Sequence, residues 1–389
     1  METKTIRKTY KYKLKPSPQQ ERVLGRALML CRHIYNAAIG ERREAWRKCG
    51  VTITHSQQQA ELPGIKEALP EYGKVNAQVL QDVVLRVDRA FQAFFRRLRE
   101  GQTPGYPRFH GCERYNSFTY PQVGEHGGAR LDNGFLVLSK IGRIAVRWSR
   151  ALEGIPKTVT ISREADGWYA CFSCADVPVQ PLPATRQETG IDLGIEAFAT
   201  LADGTRVFHP GWYRKAERAL KTAQRRVSRR KKGSARRRKA VALLAKAHQQ
   251  VRRQQADFHH KTALALVRAN DVIYHEDLQT ANMVKNHHLA KSISDAGWSA
   301  FLIILSYKAA CAGRSVVAVP PAYTSQRCSG CGVLVSKGLS VRWHACPECR
   351  TSLHWDHNAA QNILALGRKR SGAGQVPQAS TWADGPSVA

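Results

Sequence analysis

The chain has 389 residues, and its 61 lysines and arginines outnumber its 30 aspartates and glutamates, which gives a formal net charge of +31. Hydrophobic residues make up 43% of the sequence, which is typical of a packed globular protein and excludes intrinsic disorder for most of the chain. No apolar run approaches the ~18 residues that span a bilayer, and the N-terminus is charged. We therefore expect no signal peptide and a reducing, cytoplasmic environment. Such a charge predicts a partner coated in phosphate.

The first half of the sequence predicts one strand, two long helices and a set of short strands. Residues 5–14 alternate in type and predict a strand, and amphipathic helices are expected over 19–48 and about 80–98. The segment 101–122 is broken by Gly and Pro and rich in Tyr, Phe and Arg. It suits stacking on nucleic acid but is equally typical of a turn-rich connector. With the first strand, four further strands predict a small β-barrel or sheet: 135–138, 142–146, 158–163 and 168–174.

The second half alternates strands with helices, which indicates an α/β layer. Prolines at 178, 181 and 183 predict a linker at about 180–186 before it. The final stretch, 371–389, has the composition of a disordered tail. Between the linker and the tail we expect strands at 189–202, 206–209, 271–276 and 315–319, and a helix at 298–312.

About half of the excess positive charge lies in a tenth of the chain. Residues 214–253 hold 17 Lys and Arg but a single acid, Glu217. Apolar residues at seven-residue spacing predict two helices joined near Gly233. A solvated helix face or a nuclear-localisation-like patch would show similar charge, but the acids that surface helices normally intersperse are missing, so we favour nucleic-acid backbone contact. The residues expected to make it are Arg229, Arg230, Lys231, Lys232, Arg236, Arg237, Arg238 and Lys239.

Four of the ten cysteines predict a structural zinc site. Their spacing, C-x2-C-x14-C-x2-C, can supply four thiolates to one tetrahedral ion with no open position. The alternative is two unrelated redox or buried pairs. Cys171 and Cys174 lie in an alternating strand, where they point to opposite faces, so we expect them in the core. The expected zinc ligands are Cys328, Cys331, Cys346 and Cys349, and the expected buried thiols are Cys31, Cys49, Cys112 and Cys311.

Three acids at the ends of predicted elements are candidate ligands of divalent metals. Nuclease sites often hold two such ions ~3.5–4 Å apart between carboxylates. Asp192 lies in a predicted strand, Glu276 ends another, and Asp356 opens a helical run; such ends can meet at one edge of an α/β sheet. Each acid could instead belong to a turn, a strand end or a helix cap. Spacing alone does not separate them from the neighbouring Glu196 and Asp277.

Nine short stretches occur in an order typical of a known family. GIDLGIEAFAT, YHEDL, TSQRCSGCG, HACPEC and DHNAAQNIL follow CRHIYNAAI, DRAFQAFFRRL, GYPRF and RYNSFTYP. Together they resemble the TnpB family of transposon-encoded RNA-guided nucleases, which is related to type V CRISPR effectors, over nearly the whole chain apart from the tail. The sequence departs from the family pattern at Arg350, His354 and Trp355, where the family often has Gly after the fourth cysteine and an Asp-Arg pair before the third acid.

The resemblance implies a multidomain α+β fold. A wedge β-barrel is expected at 1–15 and 106–183, with a helical recognition lobe inserted at 16–105. An RNase H-like RuvC nuclease domain is expected at 187–322 and 353–370, interrupted by the zinc ribbon at 323–352. By the same resemblance, two Mg²⁺ ions are held by Asp192, Glu276 and Asp356, and one Zn²⁺ by the four cysteines.

The activity implied by the resemblance is cleavage of double-stranded DNA beside a short adjacent motif, directed by a guide RNA from the transposon end. Lys74 and Gln78 are the residues expected to read that motif. We expect one protein molecule per RNA, association with a prokaryotic nucleoid, and poor solubility without the RNA. Two alternatives are a nuclease-inactive RNA-guided DNA-binding repressor and a zinc-ribbon RNA-binding protein whose acids are structural.

Overall fold

The structure is a computed structural model that describes residues 5–336, 338 and 341–372. The described residues divide into two compact units, of which the first ends at Pro178 and the second begins at Val179. This boundary falls just before the linker expected at about 180–186. None of the described helices combines the length and the apolar character needed to cross a membrane.

The described residues of the first unit form four α-helices, a 3-10 turn at Pro70–Lys74 and seven strands. The helices are α1 (Pro18–Cys49), α2 (His55–Ala60), α3 (Leu62–Ala68) and α4 (Ala77–Arg99). The strands are β1 (Thr5–Lys15), β2 (Ser117–Tyr120), β3 (Ala129–Asp132), β4 (Phe135–Leu138), β5 (Gly142–Arg147), β6 (Ile155–Glu164) and β7 (Gly167–Pro178).

These seven strands form one antiparallel sheet in the order β2-β6-β7-β1-β5-β4-β3. The edge strands of the sheet are β2 and β3. Val123, just after β2, forms a β-bridge with Ala129 at the start of β3, so the two edges lie close together. The sheet is therefore nearly closed, and Tyr12, Phe118 and Phe172 are among the large side chains buried on it. The predicted barrel is confirmed, although the sequence did not predict β2 and β3.

Helices α1 and α4 share a single hydrophobic core with this sheet. Helix α1 begins with a capping box between Ser17 and Gln20 and ends at Gly50, whose φ of 65° is left-handed. The buried apolar residues of each helix recur at helical spacing, so each helix turns one stripe toward the sheet. These residues include Leu24, Leu28, Cys31 and Tyr35 on α1, and Leu80, Val84, Val87 and Phe91 on α4.

In the second unit, the described residues form seven strands and six helices. The strands are β8 (Glu188–Asp192), β9 (Ala199–Leu201), β10 (Arg206–Val207), β11 (Val272–Glu276), β12 (Ser315–Val319), β13 (Trp343–Ala345) and β14 (Ser352–His354). The helices are α5 (Trp212–Ser228), α6 (Ala235–Ala269), α7 (Thr280–Met283), α8 (His287–Ala296), α9 (Trp298–Cys311) and α10 (Trp355–Gly372).

The main sheet of the second unit has the order β10-β9-β8-β11-β12. Strand β8 pairs antiparallel with β9 and parallel with β11, which in turn pairs parallel with β12. The sheet residues fall into two apolar clusters, one shared with α6 and α9 and the other with α10, so helices cover both faces. This is the RNase H-like α/β layer that the resemblance implies. The expected strand 189–202 is in fact two strands, β8 and β9, joined by a turn.

Two of the expected buried thiols are exposed. Cys31 is buried, and this raises the pKa of its thiol to about 12, while Cys174 lies in the core as predicted. Cys49 and Cys112, by contrast, are exposed, because they lie at the end of α1 and in the irregular connector after α4. Isolated cysteines in those positions have no apolar stripe to join, so predicting burial from residue type alone was wrong there.

The expected tail begins later than its composition suggested. Residues 371 and 372 still belong to α10. The remainder of that tail, 373–389, lies outside the described residues.

Candidate metal centre

Asp192 and Glu276 are the last residues of two neighbouring parallel strands, β8 and β11. The register pairs Ile191 with His275, so the two acids are the next residues along their strands. Equivalent positions on adjacent strands place their side chains on the same face of a sheet. The carboxyl ends of the strands are also where ligand sites of α/β sheets lie. The structure thus brings these two predicted site residues to one edge.

Two glycines allow helix α10 to lie directly on these strands. A Cβ atom at Gly190 would lie 2.2 Å from the carbonyl oxygen of Ala360, and one at Gly367 would lie 2.1 Å from the ring of Tyr274. Strand and helix can approach this closely only because both residues lack a side chain. The close packing carries the first turn of α10, with Asp356, to the sheet edge where Asp192 lies.

The charges of Glu276 and Asp356 both act on Asp192. Burial raises the pKa of Asp192 well above its ordinary value, and the carboxylates of Glu276 and Asp356 raise it further. Burial also raises the pKa of Glu276 and Asp356. No cationic side chain of the described residues lowers the pKa of Asp192. A divalent cation bound by oxygen ligands would remove this strain, so the three acids fit a Mg²⁺ site.

Asp356 is buried beside side chains that the sequence did not assign to the site. Nδ1 of His354 lies 3.8 Å from its Oδ2, and Nη2 of Arg206 lies 4.0 Å from the same atom. Glu196 contacts both, with distances of 2.6 Å to Arg206 and 3.7 Å to His354. Ligand atoms of Glu196, His354 and Asp356 all lie within 4.8 Å of one another. Asp277, the other neighbouring acid, is exposed.

Residues 324–327, which lead into the cysteine cluster, form hydrogen bonds to Glu276 and to helix α10. The Thr324 hydroxyl donates a hydrogen bond to the carboxylate of Glu276. From α10, Nδ2 of Asn362 donates to the carbonyl oxygens of Thr324 and Arg327, at 2.8 and 2.6 Å. Asn358 also donates to Arg327, at 2.7 Å. The two asparagines of the DHNAAQNIL motif therefore tie this segment to the helix that carries Asp356.

The four predicted zinc ligands form one cluster rather than two unrelated pairs. The Sγ atoms of Cys328 and Cys349 are 3.6 Å apart, those of Cys331 and Cys346 are also 3.6 Å apart, and all four lie within 4.8 Å of one another. Tetrahedral zinc with Zn–S bonds of ~2.3 Å requires sulfur–sulfur distances of about 3.8 Å. The donor set and its spacing therefore fit one structural Zn²⁺.

Three stretches of the chain match protein-family models. Residues 171–287 match OrfB_IS605, described as "Probable transposase", and residues 298–363 match the "Cas12f1-like, TNB domain". Residues 1–50 match HTH_OrfB_IS605, a "Helix-turn-helix domain". In the described part of that last stretch the chain forms strand β1 and the single long helix α1.

Curated relatives cover almost the whole chain. It is 35% identical over 378 residues to a "Putative RNA-guided DNA endonuclease" of Streptomyces pristinaespiralis, which covers 95% of this chain and 91% of the relative. It is 30% identical over 390 residues to "Putative RNA-guided DNA endonuclease InsQ" of Escherichia coli (strain K12), covering 95% and 94%. "TnpB-like protein L79" of Acanthamoeba polyphaga mimivirus is 28% identical over 242 residues, 57% of this chain and 45% of that protein. The chain belongs to the TnpB family.

Solved structures share the fold of this TnpB protein. The chain in "Cryo-EM structure of the Cas12f1-sgRNA-target DNA complex" matches with a TM-score of 0.57 and 14% identity, over 92% of this chain and 98% of that one. The chain in "Structure of the mini-RNA-guided endonuclease CRISPR-Cas_phi3" matches with a TM-score of 0.52 and 11% identity, over 94% and 92%. The multidomain fold implied by the sequence is thereby confirmed.

The basic residues of the TnpB chain lie on and around the turn between α5 and α6, as predicted. The hairpin is held by buried apolar residues that include Leu220, Val227 and Ala240. Arg237 is half-buried, and its Nη1 donates to the carbonyl oxygens of Val227 at 2.8 Å and of Arg230 at 3.1 Å, so it closes the end of α5. The other predicted cations are exposed: Arg229, Arg230, Lys231, Lys232, Arg236, Arg238 and Lys239.

The two residues expected to read the adjacent motif lie at the start of α4. Lys74 is exposed at the end of the 3-10 turn. Gln78 is half-buried, and its Nε2 donates to Oε1 of Gln122 at 2.7 Å. Gln78 is thus partly committed to a contact within the protein, while Lys74 is available to a partner.

Proposed function

We propose that this TnpB family member is an RNA-guided endonuclease that cleaves double-stranded DNA next to a short adjacent motif. The observation that carries the proposal is the position of Asp192 and Glu276 at the ends of the neighbouring parallel strands β8 and β11, with Asp356 in the first turn of α10 and its charge acting on Asp192. Relatives named as RNA-guided DNA endonucleases, matched over almost their full length, support the same activity.

Asp192, Glu276 and Asp356 would hold two Mg²⁺ ions. When bound, these ions would supply an activated water and neutralise the charge that develops on the phosphate. The carboxylates serve as metal ligands in this proposal and not as proton-transfer groups. The surroundings of Asp192 fit that role best, because a desolvated acid with a raised pKa and no neighbouring cation gains most from a bound metal ion.

Neighbouring side chains would orient these ligands. The Thr324 hydroxyl donates a hydrogen bond to one oxygen of Glu276 and would fix the orientation of its carboxylate. His354 and Arg206 approach one oxygen of Asp356, and both are also held by Glu196. Outer partners of this kind typically change metal affinity or activity ~10–100-fold when they are mutated.

The guide RNA is the second component of the proposal. The exposed cations around the α5–α6 turn would hold the phosphate backbone of the guide or of its duplex with the target, with an affinity that falls steeply with salt. Lys74 and Gln78 remain our proposed readers of the adjacent motif. We also propose that the guide derives from the transposon end and that one protein molecule binds each RNA.

Guide-dependent cleavage tests the proposal. The protein is purified with its co-expressed RNA and incubated with Mg²⁺ and duplex DNA that either matches or mismatches the guide. We expect cuts in the matched duplex alone. Tight guide-dependent binding without any cut would indicate the repressor alternative. Binding that ignores the guide sequence would indicate a zinc-ribbon RNA-binding protein with structural acids.

A further inference from the structure

A groove in the first unit is lined by exposed aromatic rings and arginines that the proposed function leaves unused. It lies between the last turns of α1 and the connector after α4, and its volume is about 600 Å³. Trp46 is 64% exposed, Phe109 51% and Tyr106 41%. The aromatic groove is lined by Arg43, Trp46, Arg47, Tyr106, Pro107, Arg108 and Phe109.

Two rings of the aromatic groove, those of Tyr106 and Phe109, are held in place although they are exposed. The edge of Tyr106 meets the rings of Phe91 and Phe94 on α4, with centroids 5.5 and 5.3 Å apart. The ring of Phe109 lies over Gly40 on α1, 3.8 Å from where a Cβ would be. Because these two side chains are already ordered in the free protein, a ligand that stacks on them loses little side-chain entropy on binding.

The connector itself is clamped to α1 beside these rings. The Asn36 side chain donates to the carbonyl oxygen of His110 at 3.0 Å and accepts from its amide at 2.8 Å. Asn36, Gly40, Arg43 and Arg47 succeed one another at helical spacing, so they share one face of α1. The connector and this face of α1 therefore form the two walls of a fixed groove.

The charge of the groove points to a phosphate-bearing ligand. Arg47 pairs with Glu44 at 2.8 Å, whereas neither Arg43 nor Arg108 is paired with an acid among the described residues. Aromatic rings flanked by arginines are the usual combination for single-stranded nucleic acid, because the rings stack on bases and the guanidinium groups meet the backbone. An acidic peptide would satisfy the arginines but would give the rings no planar partner.

We propose that the aromatic groove binds unpaired nucleotides of the guide RNA, with bases stacked on Trp46, Tyr106 and Phe109. The proposal rests on the proposed function for the identity of the RNA. A guide that remains bound would cover these rings throughout, whereas a DNA strand would cover them only during a reaction. A permanently bound RNA would shield the three large exposed rings from solvent, and such an exposed patch otherwise promotes aggregation.

Ultraviolet crosslinking of the protein–guide complex tests the location and the source of the ligand. Crosslinks from Trp46, Tyr106 or Phe109 to RNA are expected before any DNA is added. Crosslinks to DNA alone, after matched duplex is supplied, would overturn the assignment to the guide. Absence of crosslinks from all three rings in both samples would overturn the proposal that the groove binds nucleic acid. Neither readout requires cleavage, so an inactive nuclease would refute the proposed function and leave this inference intact.

Substitutions test whether stacking holds the RNA. Trp46→Ala should lower the affinity for the co-purified guide RNA, measured by its displacement with a competing RNA, by about 5-fold or more, the loss of one stacked base, with an unchanged salt slope. Trp46→Phe should restore most of that loss. Arg43→Gln and Arg108→Gln should each lower the slope by about 0.7. Phe95→Ala, an equally exposed ring outside the groove, is the control. Equal affinities for Trp46→Ala, Trp46→Phe and Phe95→Ala, with unchanged thermal melting, would overturn the proposal.

Discussion

Asp192 has the most unfavourable surroundings of the three acids at the sheet edge. It is desolvated at the end of β8, and the two neighbouring carboxylates add repulsion, so its charged form is strongly disfavoured without a metal. An acid that only capped a turn would gain nothing from such a position. The arrangement stores free energy that a bound cation releases, which is the behaviour expected of a metal ligand.

Removing this charge should stabilise the metal-free protein. Asp192→Asn is expected to melt at a higher temperature than the parent protein in the presence of a chelator, because the amide carries no charge to desolvate. Added Mg²⁺ should raise the melting temperature of the parent more than that of the variant. Asp277→Asn, an exposed neighbour, serves as the control. Equal melting temperatures of Asp192→Asn and the parent in chelator would contradict this account of the site.

At the scale of elements, α10 connects the parts of the site. It lies on β8 and β11 through Gly190 and Gly367, carries Asp356 in its first turn, and holds the segment before the cysteine cluster through Asn358 and Asn362. A displacement of this helix would therefore move Asp356 and weaken the support of Glu276 together.

A methyl group at residue 190 should disrupt this packing. Gly190→Ala places a Cβ 2.2 Å from the carbonyl oxygen of Ala360, so helix and strand must separate. The free energy of unfolding should fall by about 1–3 kcal/mol or more, and cleavage should be lost with it. The measurement is thermal or chemical denaturation. Gly25→Ala, on α1 with open space around it, should be neutral or slightly stabilising; a comparable loss there would contradict the packing argument.

Zinc removal should affect catalysis through the same elements. The cysteine cluster follows Thr324 and Arg327 and precedes β14 and α10, so its unfolding loosens the contacts to Glu276 and α10. We expect one zinc per chain by metal analysis, and its chelation should abolish cleavage while RNA binding persists. Cys349→Ser should behave like chelation, and Cys112→Ser, an exposed thiol elsewhere, like the parent. Full cleavage by a zinc-free protein would contradict this coupling.

The sequence predicted most of the elements, because apolar periodicity is strong where an element has one buried face. Helices α1 and α4 show such periodicity and were placed within a few residues. Strands β2 and β3 are only four residues long, with two buried residues in β2 and one in β3. They are too short to show a clear alternation of apolar and polar residues. Arg206 reaches Asp356 only through tertiary folding, and its distance of 150 residues in sequence contains no sign of the contact. His354 lies two residues before Asp356, but its residue type alone did not assign it to the site.

At the scale of the whole molecule, the positive charge separates into parts with different tasks. The cations around the α5–α6 turn are exposed on two helices that pack through buried apolar residues, so their side chains are free for phosphates. Arg237 is the exception, because its guanidinium closes the end of α5. A net charge of +31 repels itself unless a polyanion is bound, so we expect the RNA-free protein to be less stable than the RNA-bound protein.

Neutralising the exposed cations should change how RNA binding depends on salt. A variant with glutamine at the seven exposed positions (Arg229, Arg230, Lys231, Lys232, Arg236, Arg238 and Lys239) should lose about 0.7 of the logarithmic salt slope for each residue that contacts a single-stranded backbone. Arg237→Gln should instead lower the melting temperature, with a smaller change of slope. The measurement is RNA affinity at several salt concentrations. An unchanged slope in the seven-residue variant would place the RNA elsewhere.

The most direct test of the central claim is the cleavage rate of guide-matched duplex DNA by single-acid variants of the RNA-loaded protein. Asp192→Asn, Glu276→Gln and Asp356→Asn should each lose more than the ~10–100-fold that outer partners of a metal typically cost, and each should still bind the matched duplex. Asp277→Asn should cut at the parent rate. Parent-like cleavage by any of the three variants, or an equal loss in Asp277→Asn, would contradict the proposed metal site.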